Sequence, residues 1–133
     1  MTDAPAPRFH ELAIYTVGAG LLDPLVERFR DHTVRLWDRA GLRCDAFWIE
    51  RGIGASWSLD PGTPMVPTGD GVQRIFYVVS AADESELDAA WARFRDDEEW
   101  QAVVEASNAA AGGRMVVAYQ RFRLEPAPFS ALQ

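Results

Sequence analysis

The side chains with chemistry to offer are few. There are two histidines, His10 and His32, and one cysteine, Cys44. His32 lies in "RFRDHTVRLWDRAG", about 60° from the centre of an apolar helical stripe at roughly 100° per residue. An imidazole at that margin either makes one hydrogen bond at the rim or moves a proton near neutral pH. Glu50, on the strand face of Trp48, and Tyr15 are the groups expected to fix its tautomer. The expected catalytic set is therefore His32, Glu50 and Tyr15. Tyr77 and Tyr119 sit on two further strands; either packs in the core or donates to a ligand carbonyl or phenolate. Arg121 suits a developing oxyanion or a ligand carboxylate, or a surface acid. Trp48 and Trp57 complete the ligand-contact set, Trp57 as the lone aromatic of a Gly/Pro segment that either lids a cleft or anchors the loop. His10, His32 and Cys44 fit no zinc spacing, and there is no phosphate loop or serine elbow, so neither metal nor cofactor is expected.

These residues need elements to position them. "FHELAIYT" (9–16) places Leu12 and Ile14 on one face of a strand and Ala13 and Tyr15 on the other, so both faces are apolar. Asp23 and Pro24 read as the cap and first position of a helix. Its stripe is Leu22, Leu25, Val26, Phe29, Thr33, Leu36, Trp37 and Ala40, stopped by Gly41. Residues 42–52 read as a second strand, with Cys44, Ala46, Trp48 and Glu50 facing one way and Phe47 and Ile49 the other. The Gly/Pro-dense stretch 53–72 is a long loop, expected to cover a cavity mouth. A third strand (73–80), a helix capped by Asp83 with Glu86 in box register, a second helix from "DDEEWQ" and a fourth strand (114–124) follow.

The order βαββαβ is that of a ferredoxin-like α+β fold, a four-stranded antiparallel sheet with its helices on one face. Helices cover one face only, so the second apolar face predicts a homodimer, sheet against sheet, in an α/β barrel. One domain over 9–130 is expected, with tails at 1–8 and 131–133. The 133 residues carry a formal charge of −7, with 13 arginines, no lysine and 20 acids. Scattered cations argue against nucleic acid and against anionic membranes. The lone cysteine excludes an internal disulfide, and there is no signal peptide or apolar span, so a cytoplasmic location is expected.

The stretches "FHELAIYTVGAGLLDPLVERFRDHTVRLWDRAG", "AFW", "DDEEWQ" and "RFRLEPAPFS", in that order and spacing, resemble the NIPSNAP family of the dimeric α/β barrel superfamily. The likeness spans residues 9–130 and is weakest over 53–72; it includes the helix-one "HT" (His32, Thr33) and the closing "PAPFS". One departure is Ala13, where the family commonly has Arg, which removes a cation from the pocket. The resemblance implies the fold and a pocket. The wider superfamily includes cofactor-independent oxygenases, polyketide cyclases, isomerases and haem enzymes, although nothing near His32 supports a haem. Two functions are expected: a cofactor-independent enzyme acting on an aromatic or polyketide-like metabolite, or a non-catalytic carrier using the same aromatic pocket.

Overall fold

The computed structural model describes residues 6–52, 57–65 and 72–133. Strand β1 (Phe9–Val17) leads through a turn into α1 (Leu22–Arg28). This helix continues through a π-helical turn (Phe29–Thr33) into α2 (Val34–Ala40). Strands β2 (Arg43–Ile49) and β3 (Gln73–Ala81), helices α3 (Glu84–Asp96) and α4 (Glu98–Ala111), and β4 (Val116–Leu124) complete the chain. The sheet order is β2-β3-β1-β4 and every neighbouring pair is antiparallel. The α+β, ferredoxin-like arrangement expected from the strand and helix order is what forms.

The helix ends follow local chemistry. Gly41 ends α2 at φ 105°, a conformation in which a Cβ would be strained. The Asp83 carboxylate accepts from the Glu86 amide at 2.8 Å, and Asp97 caps α4 by accepting from Glu99 and Trp100. Asp23 does not cap the first helix as expected. That helix begins at Leu22, so Asp23 lies inside its first turn and acts there only through the helix dipole.

Alternation along the strands divides the sheet into two faces. Ala13, Ile75, Tyr77 and Val79 face the helices and are fully buried against Leu25, Leu36, Trp37, Leu87 and Ala90. The opposite face carries Leu12, Ile14, Phe76, Val78, Phe122 and Leu124 in register across three strands. No helix covers it, which leaves Phe122 44% and Leu124 42% exposed.

A β-bulge corrects the expected faces of β2. Cys44 pairs with Val79 and Ala46 with Val78, so the extra residue Asp45 moves Cys44 to the helix side, away from Ala46 and Trp48. The bulge brings the buried Asp45 carboxylate to 2.7 Å from His10 Nδ1. Within the segment read as a tail, the Arg8 side chain donates to Ser80 Oγ at 2.8 Å and to its carbonyl at 3.1 Å.

Candidate functional site

The site grows from one small residue. Ala13, at the middle of β1, has Tyr77 of β3 as its neighbour on one side and Arg121 of β4 on the other. All three point to the helix face, and because Ala13 ends at Cβ, the longer side chains converge over it with Tyr15, the next residue on that face. The Tyr15 and Tyr77 hydroxyls are 2.9 Å apart, and Arg121 Nη2 donates to the Tyr15 hydroxyl at 3.0 Å. The cation absent at position 13 thus stands one strand away, at 121.

The electrostatics follow from burial. Tyr77 has no exposed surface, and burial, seconded by Tyr15, pushes its phenol well above the ordinary value, so it stays a neutral hydrogen-bonding hydroxyl. Burial works against the Arg121 charge, but its hydrogen bond to Tyr15 and the nearby Glu11 favour it, and its pKa is raised. The guanidinium lies 4.5 Å from the Trp91 ring centre and 5.0 Å from that of Tyr119, within cation–π range of both.

Around this group is a cavity of about 480 Å³ between the sheet and the helices. Phe29, Trp37, Trp91, Phe94 and Trp100 form its aromatic wall, and Tyr119, 62% exposed, marks the β4 side as its open edge. The π-helical turn shapes the wall: it keeps Phe29 and Thr33 both buried, and the Thr33 hydroxyl donates back to the Arg28 carbonyl at 3.3 Å. Arg28 reaches across to α4, where Nη1 donates to Ser107 Oγ and Asn108 Oδ1, each at 3.1 Å.

Four of the residues expected from sequence, Tyr15, Tyr77, Tyr119 and Arg121, meet here; Tyr15, Tyr119 and Arg121 line the cavity and Tyr77 backs it. His32 does not join them. The widened turn directs it to a neighbouring cleft of about 790 Å³ between α1 and α4, with Glu27, Asp31 and Glu99 on its walls. The two spaces adjoin at Arg28 and Met115. His32 Nδ1 is buried without a hydrogen-bond partner among the described residues. Glu50 is bound to Arg74, its Oε2 3.0 Å from Nη1. The expected grouping of His32 with Glu50 and Tyr15 is therefore not formed, because Glu50 and Tyr15 are each bonded to an arginine and His32 faces another helix. Trp48 lies on the uncovered sheet face, 54% exposed, and Trp57 is 68% exposed and lines neither cavity. The lid expected of 53–72 falls partly on residues outside those described.

Sequence reasoning missed the cavity's other cations, Arg28, Arg95 and Arg114. A signal existed for Arg28: it precedes the inward Phe29 and lies four residues before His32, on the flank of the apolar stripe. None existed for Arg95 or Arg114, which join the site only through the fold. Among the described residues no group of three or more His, Cys, Asp or Glu is placed to hold a metal ion. No helix among them is long and apolar enough to cross a membrane.

A ferredoxin-like α+β protein with an aromatic, arginine-rimmed cavity under its helices is the class so defined. Solved structures of the same shape are NIPSNAP family proteins. One from Agrobacterium tumefaciens, described as of unknown function, superposes with a TM-score of 0.70 at 12% identity over 100% of both chains. A second from that organism gives 0.69 at 12%, covering 98% of this chain and 95% of the other. An uncharacterized NIPSNAP domain protein from Burkholderia xenovorans gives 0.65 at 17%, covering 92% and 97%. At these identities the likeness establishes the fold: this chain is built as NIPSNAP family proteins are, in line with the sequence resemblance. No protein-family model matches the sequence, and no curated protein matches it.

Proposed function

We propose that the chain is a cofactor-independent enzyme that takes an aromatic or polyketide-like small molecule into the cavity beneath α1–α4 and moves a proton through Tyr15. The observation that carries this reading is the convergence of Tyr77 and Arg121 on one phenolic oxygen inside an aromatic cavity. When Tyr15 gives its proton to the substrate, negative charge develops on that oxygen, and the Arg121 guanidinium is already in place to meet it until a proton is returned. The aromatic walls supply the affinity and exclude water; cavities of 300–1,000 Å³ are the range that small-molecule sites occupy. His32 and Glu50 have no part in this step.

The working unit is a homodimer. Its support is the uncovered face, where Leu12, Ile14, Phe76, Phe122 and Leu124 form one apolar surface on a sheet whose other side is the core. A second copy packed there buries the same patch twice.

The alternative, a carrier with the same cavity, differs only in whether the bound compound is changed. A thermal-shift screen of aromatic and polyketide-like compounds identifies binders, because a ligand of the folded state raises the melting temperature. Incubating each binder with the protein and analysing it by mass spectrometry follows. The enzyme reading expects a product whose rate falls about 10²- to 10⁴-fold in Tyr15→Phe while binding persists. Binders that return unchanged favour the carrier, and a screen without binders contradicts both.

A further inference from the structure

We propose that the aromatic cavity is selective for an aromatic carboxylate, held by Arg121 at the β4 edge with Arg28, Arg95 and Arg114 setting the sign of the field. The inference rests on the reading of this cavity as a small-molecule site and names the ligand class.

The distribution of charge carries it. The chain is acidic, and seven of its arginines lie within ion-pair distance of a carboxylate, among them Arg39 with Asp97 and Arg74 with Glu50. Six arginines have no such partner among the described residues, and four of the six, Arg28, Arg95, Arg114 and Arg121, line one cavity, whose walls include no carboxylate. Glu11, a buried acid outside the cavity lining, favours the Arg121 charge and lies 3.8 Å from Arg123. An anion entering that space meets a field of one sign.

The donor balance points the same way. Buried polar atoms without a partner on the cavity residues are all donors: Arg28 Nε and the indole nitrogens of Trp37 and Trp91, whose side chains are at least nine-tenths buried. Arg121 is the group that touches the ligand. Its guanidinium lies between the Trp91 and Tyr119 rings, among the described residues only one of its five N–H donors is used, by Tyr15, and the residue is exposed on the open side. A planar carboxylate matches that free edge with two parallel hydrogen bonds, and an attached ring continues into the aromatic wall. A polyphosphate would have to shed its hydration against the same apolar wall, which disfavours it.

Isothermal titration with 2-naphthoate and its neutral isostere 2-naphthamide, at neutral pH and low salt, separates this inference from the reading beneath it. Naphthoate should bind at least about tenfold more tightly. Arg121→Met should bring the two within about threefold, with an unchanged far-UV circular dichroism spectrum reporting that the variant is folded. Arg114→Gln, at an exposed position, is the second variant and should reduce the preference severalfold. Equal affinities in the wild type, or a preference unchanged in Arg114→Gln or in a folded Arg121→Met, would overturn the carboxylate assignment while the cavity reading stands. Binding of neither probe would remove both.

Discussion

Arg121 and Ala13 are direct partners across the β1–β4 ladder, and the brevity of Ala13 is what lets the Arg121 guanidinium reach the Tyr15 hydroxyl at 3.0 Å. Lengthening residue 13 would fill the space over which Tyr15, Tyr77 and Arg121 meet. The pocket cation and the small residue beneath it are thus one device distributed over two strands.

The Tyr15–Tyr77 contact predicts non-additive stability. Tyr15→Phe leaves the Tyr77 hydroxyl buried and unpaired, at a cost of about 1–3 kcal/mol. Adding Tyr77→Phe removes the stranded hydroxyl and should recover part of that loss. Urea unfolding of both single variants and the double variant checks this; strictly additive losses would mean that the two hydroxyls do not interact.

His32→Ala should lower stability by less than about 1 kcal/mol, as expected of a rim position whose ring nitrogen Nδ1 makes no hydrogen bond. Because His32 lines the cleft beyond Arg28 and not the aromatic cavity, naphthoate affinity should stay within about twofold. A loss of two orders of magnitude in binding or turnover would return the histidine to the site.

The apolar outer face predicts an association that a single charge can break. Sedimentation equilibrium at micromolar concentration should give twice the 14.8 kDa chain mass. Phe122→Glu, 44% exposed at the edge of the patch, should shift the chain to monomer with its helix content retained. A wild-type monomer would contradict the dimer.

Much of this architecture was legible in the sequence, since strand alternation and the helical stripe from Leu25 to Ala40 are local consequences of burial. The Asp83 cap could be read from its spacing to Glu86, whereas the Asp97 cap of α4 was not singled out among the acids of "DDEEWQ". What could not be read were insertions that shift a register by one residue. The bulge at Asp45 turned Cys44 to the opposite face, and the π-helical turn sent His32 toward α4. Tyr15, Tyr77, Tyr119 and Arg121 were legible as candidates because hydroxyls and a guanidinium stand on strands otherwise made of apolar residues. Their meeting point was not, because it depends on which residues stand opposite Ala13. Arg95 and Arg114 reach the cavity from the end of α3 and the approach to β4, a proximity that no local pattern encodes.

The five tryptophans offer the most direct test that the cavity is the binding site. Trp37, Trp91 and Trp100 line it, whereas Trp48 sits on the uncovered sheet face and Trp57 in the exposed segment after β2. Their indole N–H resonances can be assigned one by one from Trp→Phe variants of the ¹⁵N-labelled protein. Titrating 2-naphthoate should move the Trp37, Trp91 and Trp100 signals together along a single saturable curve and leave Trp48 and Trp57 in place. Shifts confined to Trp48 or Trp57, or no saturable shift in the three cavity indoles, would contradict the account.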